Sequence, residues 1–222
     1  MIEAVRYRRL AAELYRPERV RVAIVGEAPP PEKFFYFGDS LFFRYLRAAF
    51  ARPLPEVERW REGWFLALYR EIGGWRGDVC EESRRATKGG ADDVTDCLDA
   101  FERRWAALDV DPEAVIVISP KRLVPTLPAW LRDRVTASVP PPGQWNAHRE
   151  AFLRDVSALL ERHVGRDGLR EAARRVSEED AALDFEIARA CAEGAGDAEL
   201  RRLLRGHARE AGLVAAWEGE AA

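Results

Sequence analysis

Cysteine, lysine, histidine and methionine are all scarce in this chain. Its 222 residues include three Cys, three His and one Met, and the only lysines are Lys33, Lys88 and Lys121. The cysteines, Cys80, Cys97 and Cys191, are widely spaced and odd in number. They offer no C-x-x-C pair and predict no disulfide framework. An iron–sulfur cluster needs about four thiolates, so one chain cannot hold it alone. Three histidines far apart predict no metal site. No cofactor motif is present. A doubly wound nucleotide enzyme carries a Gly-rich phosphate loop after its first strand, and here Pro29, Pro30 and Pro31 occupy that place. No apolar run approaches the roughly 20 residues of a membrane span. Met1–Tyr15 is charged and lacks a signal-peptide core, so the expected location is the cytoplasm, with no membrane partner. The formal charge of −3 supplies no global basic field to recruit nucleic acid.

What is plentiful is apolar material. At 47% hydrophobic residues the chain can bury one sizeable core and still carry an appendage. Ile2, Val5, Leu10 and Leu14 are spaced for one face of an N-terminal helix. Val20–Val25 is a β-branched run that breaks at Gly26, and Ala114–Ile118 is a second such run. Trp75–Cys80 and Arg134–Val139 are further strand candidates. Helices are expected at Leu41–Phe50 behind an Asp39 or Ser40 cap, from Pro55 to about Ile72, and from about Asp92 to Leu108. Ser119-Pro120 reads as an N-cap with proline at the first helical position. Asn146 reads as the cap of a helix ending near His163. Continuous apolar strands alternating with helices predict an α/β fold of three layers, α/β/α. Its sheet is central, four-stranded and mainly parallel, within a domain spanning residues 1–165. Residues 166–222 read as a helical C-terminal extension, with nine Arg against thirteen acids and no strand candidate. It either packs on the core or offers a surface to a protein partner.

In such sheets ligands bind outside the carboxyl ends of the strands. Three unusual segments fall there: Gly26–Gly38, Gly77–Gly90 and Pro140–His148. Gly26 permits a sharp turn and close approach of backbone to ligand. The prolines after Ala28 fix the presentation of Glu27, whose carboxylate can act as a general base or orient a water. A plain strand-to-loop turn with a solvated Glu accounts for the same string. Phe34-Phe35-Tyr36-Phe37 fits neither helical nor strand alternation, so its rings either stack on a flat ligand or fill the core under the next helix. Asp78 is placed to line a second edge of the pocket, and Cys80 reads as a small buried residue. Ser83–Gly90 carries Arg84, Arg85 and Lys88, a phosphate-binding pattern that a solvated loop also explains. Lys121 and Arg122 flank a helix start that can take an anion. Gln144 and Asn146 carry amides suited to a base edge, and His148 lies early in the following helix.

Val22–Gly26 followed by Glu27-Ala28-Pro29-Pro30 resembles the first motif of the uracil-DNA glycosylase superfamily. The run Phe34–Arg44, with Phe-Phe-Tyr and then Gly-Asp-Ser, is similar to an uncharacterised branch of it. Ala114–Ser119 resembles the family's third strand, and Arg134–Val139 with its proline turn occupies the place of the last motif. The resemblance covers residues 18–165. It implies a DNA-base N-glycosylase that hydrolyses the N-glycosidic bond of a damaged or unusual base. Gly26, Ala28 and Pro29 would shape the pocket, and the flipped base would stack on Tyr36 or Phe35. Glu27 would support charge developing on the sugar. The chain departs from the pattern at Val139-Pro140, where the family presents a His that helps the base leave. His148 is the nearest replacement. The alternative reading is a catalytically inactive nucleobase- or nucleic-acid-binding adaptor on the same fold.

Overall fold

The computed structural model describes residues 2–83, 94–143 and 145–219. The chain opens with helix α1 (Ile2–Leu14) and strand β1 (Val20–Gly26), followed by a 3-10 turn at Phe35–Phe37. Helices α2 (Leu41–Ala51) and α3 (Glu62–Glu71) lead to β2 (Gly74–Asp78). Then come α4 (Leu98–Ala106), β3 (Val110–Ile118), the short α5 (Ala129–Arg132) and β4 (Ala137–Ser138). Five helices finish the chain: α6 (Asn146–His163), α7 (Gly165–Arg175), α8 (Glu178–Ala192), α9 (Asp197–Leu204) and α10 (Glu210–Glu218).

The sheet has the order β2-β1-β3-β4, and every neighbouring pair is parallel. Its central strands are β-branched because both faces are covered. Val22 and Ile24 join Val115 and Val117 on one side, against α1, α2, α3 and α6. Ala23 and Val25 join Ile116 and Ile118 on the other, against Phe101 and Trp105 of α4 and Leu131 of α5. The architecture is therefore three-layer α/β/α with an all-parallel sheet, and among the described residues only helices follow residue 165. Those last helices share the first core cluster: Leu169, Ile187, Leu204 and Trp217 are buried in continuity with the sheet residues.

Several boundaries differ from the sequence reading for local reasons. The strand expected at Arg134–Val139 shortens to Ala137–Ser138, because the amides of Arg134 and Val135 close the turn of α5 onto Leu131 and Arg132. The helix expected from Pro55 to Ile72 is broken. Trp60 is extended, with φ −73° and ψ 150°, between a 3-10 turn at Pro55–Arg59 and α3. The helix expected from Asp92 becomes regular only at Leu98, after a 3-10 turn at Thr95–Cys97; its first two residues lie outside the described ones. Ser40 caps α2 by accepting the Phe43 amide, while Asp39 accepts the Phe34 amide. Ser119 caps nothing: Pro120 is the cap residue of a 3-10 segment at Lys121–Thr126, and the buried Ser119 hydroxyl has no partner. Asn146 is not a cap either, since it is the first helical residue behind Trp145. The expectation of no disulfide is overturned. Cys80 and Cys97 are bonded, their Cα atoms 5.2 Å apart, because the exit of β2 runs beside the start of α4.

Candidate functional site

The carboxyl edge of the sheet gathers Gly26 of β1 with Glu27 just after it, Asp78 of β2, Ser119–Arg122 after β3, and Val139–Gly143 with Trp145 after β4. Gly26 sits opposite Asp78 in the ladder. A Cβ on Gly26 would fall 2.1 Å from the Asp78 carboxylate and 2.8 Å from the Arg76 guanidinium. The glycine is thus explained by a side-chain pair lying over its Cα. That pair is bidentate: Arg76 donates to both Asp78 oxygens at 2.7 and 2.8 Å. Strand alternation puts residues i and i+2 on one face, which is why two positions of β2 can meet so closely. Burial works to lower the Arg76 pKa, but the charge and hydrogen bonds of Asp78 outweigh it and the net shift is upward. The guanidinium also lies over the Phe42 ring at 4.7 Å and the Phe35 ring at 5.8 Å. Such flat stacking suits a desolvated Arg.

Phe35 and Tyr36 are packed inside. The Tyr36 ring stacks on Tyr15 at 5.9 Å and meets Phe35 edge-on at 4.9 Å. Its hydroxyl donates to the Arg76 carbonyl at 3.0 Å and accepts the Arg76 amide at 2.8 Å. A tyrosine in that position serves β2 as a neighbouring strand would. Burial pushes its pKa well up. With no exposed face, neither ring offers a base a surface to stack on. Phe34 and Phe37 are partly buried against the same cluster.

Glu27 is turned toward Arg122 and away from bulk water. Its side chain is 11% exposed, and Arg122 holds both carboxylate oxygens, at 2.9 and 2.6 Å. Arg122 itself is 55% exposed, so the pair presents its cationic side outward. Ala28 is half-buried and Pro29 buried. Arg8 of α1 fixes the proline corner by donating to the carbonyls of Pro30 and Pro31 at 2.9 and 2.8 Å. Burial lowers the Arg8 pKa. Val139 is buried at the end of β4 and its amide continues the ladder to Ile118. The position next to Pro140 is thus an apolar anchor, with no group to donate a hydrogen bond or carry charge.

His148 and Asn146 are exposed on the first turns of α6. Gln144, Arg84, Arg85 and Lys88 lie outside the described residues. The structure therefore joins Gly26 with Asp78, and Glu27 with Arg122, but does not bring Glu27, Tyr36 and His148 around one hollow. Sequence reasoning missed Trp145, which is 74% exposed between the proline turn and α6. Its signal was a Trp among polar residues straight after a proline-glycine stretch, where no helical or strand face can bury it. Arg122 was visible as a cation, but its link to Glu27 spans 95 residues.

Below this edge, Arg104 donates to the carbonyls of Asp78 and Val79 at 2.8 Å and pairs with Glu81 at 3.0 Å. Glu81 also takes a bidentate bond from Arg9. Burial alone would raise the Glu81 pKa, but Arg9 and Arg104 together hold it below the usual value. Among the described residues Cys80, Cys97 and Asp96 bring ligand atoms within 4.8 Å of one another, the two sulfurs being joined. A cavity of about 940 Å³ lies elsewhere, where Trp60 and Trp64 meet α8 and α9, between rims of Arg and Glu. No described helix is long and apolar enough to cross a membrane. Comparison of the chain with protein-family models, with curated proteins and with solved structures finds no match.

Proposed function

We propose that this chain is a nucleobase- or nucleic-acid-binding protein on a uracil-DNA glycosylase-like fold, without the family's bond-breaking chemistry. The observation that carries this reading is the Glu27–Arg122 pair. Both carboxylate oxygens accept charge-assisted hydrogen bonds from one guanidinium, so neither is turned toward a water or a developing cation. The buried Val139 removes the second catalytic group. What supports a nucleic-acid ligand is the outward half of the same edge. Trp145, 74% exposed, offers an open aromatic face, a sequence-tolerant platform for an unstacked base.

The glycosylase reading keeps one observation in its favour. Arg122 is far more exposed than Glu27, so a phosphate that draws Arg122 outward would release the carboxylate inside the site. The two readings part on chemistry. Oligonucleotides carrying uracil, hypoxanthine or alkylated bases are incubated with excess protein, and abasic sites and strand binding are measured in the same samples. The expected result is retention of single-stranded DNA, weakening with salt, and no base release. Release that disappears in Glu27→Gln would establish the enzyme and end the binding-only proposal. Neither retention nor release would end both.

A further inference from the structure

We propose that Cys80–Cys97 is a redox-modification site, a reversible disulfide whose state sets the backbone of the carboxyl edge. The inference goes beyond the nucleic-acid reading and does not depend on it. Disulfides as structural staples belong mainly to small domains that cannot build a core. This chain buries two large clusters on either side of a four-stranded sheet and has no such need. The bond instead lies beside the site already described. The Cys80 amide donates to the Glu27 carbonyl and the Val79 amide to the Gly26 carbonyl, both at 2.9 Å. The disulfide therefore ties the residue that braces Glu27 to the leading turn of α4.

The two sulfurs are unequal. Cys80 is buried, whereas Cys97 is partly exposed in a cleft of about 490 Å³ that Asp96 and Arg104 also line. A dithiol reductant can reach Cys97. Its thiolate attacks the Cys97 sulfur, and the S–S bond breaks with the electron pair leaving on Cys80, which takes a proton. The reductant's second thiol then displaces Cys97 as a thiol and leaves as a cyclic disulfide. Two electrons and two protons pass from reductant to protein. Cys191 takes no part, since it is buried and its thiol is pushed up to about 12 by that burial.

The test uses the whole chain purified without reductant and equilibrated in graded mixtures of reduced and oxidised dithiothreitol. Thiols are trapped by alkylation and read by mass, and hydrogen exchange is followed at Val79 and Cys80. One reversible two-electron transition is expected, with Cys191 unmodified and exchange at both amides rising about tenfold or more on reduction. The double variant Cys80→Ser with Cys97→Ser should match the reduced protein in exchange. Three free thiols or a bound zinc ion in the fresh protein would overturn the proposal. Unchanged exchange at Val79 and Cys80 on reduction would overturn it too, leaving a bond with no hold on the site.

Discussion

Gly26 shows how one residue can look like a ligand contact and be held by something else. Its Cα lies under the Arg76–Asp78 pair, and any side chain there collides with a carboxylate that cannot retreat without unpairing a buried guanidinium. Gly26→Ala is therefore expected to destabilise the fold by about 3 kcal/mol, the upper range for overpacking. Urea unfolding monitored by circular dichroism checks this. A loss under 1 kcal/mol would mean that the pair is free to shift. Tyr36 carries a related lesson. Its position in a run of four aromatics suggested stacking on a ligand, yet its hydroxyl is bonded twice to the Arg76 backbone and its ring to Tyr15. A ring at 3-10 spacing escapes the periodicities of 3.6 and 2 that reveal core faces, so the sequence could not separate the two roles. Glu27 was legible as a fixed carboxylate, and its neutralisation by Arg122 was not.

The exit of β2 acts as one element with the middle of α1 and with α4. Glu81 joins Arg9 and Arg104, and Arg104 holds the carbonyls of Asp78 and Val79. The depressed Glu81 pKa has a definite sign in stability. In the unfolded chain Glu titrates near about 4.3. Above that value the folded state gains from the charged carboxylate. As pH falls through the lower folded value, the gain is lost. Wild type should therefore exceed Glu81→Gln in urea midpoint at pH 6, with the difference shrinking as pH falls below about 4. A constant difference across that range would contradict the assignment. Elements with long one-type patterns were readable: β1 and the Ala114–Ile118 part of β3 as β-branched runs, and the last turn of α6 at His163, whereas the start of β3 at Val110–Glu113, with its proline and two acids, was not. Short or composite ones were not. β4 has two residues, and the segment from Pro55 to Glu71 is divided at Trp60, whose extended backbone no propensity announces. The Cys80–Cys97 bond was invisible because its partners meet only once β2 lies beside α4.

At the scale of the molecule, the C-terminal helices are bound to the α/β layers through charge as well as apolar packing. Asp184 of α8 is buried and accepts from Arg70 of α3 at 2.7 Å, with His207 Nε2 at 2.9 Å. The His207 Nδ1 accepts the Arg209 amide, so Nε2 carries the proton that reaches Asp184. Arg70 and Arg209 also cap α1 by donating to the carbonyls of Glu13 and Leu14. These carbonyls are orphaned by the end of the helix. Removing the carboxylate strands a half-buried guanidinium and an imidazole, so Asp184→Ala is expected to cost about 3 kcal/mol, the lower end for a broken buried pair. Loss of a single cooperative unfolding transition would show instead that the helices after residue 165 unfold on their own. The helical character of that segment was legible in its composition, but its attachment rests on contacts between residues more than a hundred positions apart. The central claim, that the carboxyl edge binds bases through an open aromatic and not through the buried ones, has a direct measurement. Fluorescence anisotropy of a labelled single-stranded oligonucleotide is titrated with wild type and with Trp145→Ala. A stacking contact of about 1–3 kcal/mol predicts a roughly 5- to 150-fold weaker Kd for the variant, with unchanged unfolding. Equal affinities for the two proteins would contradict the account.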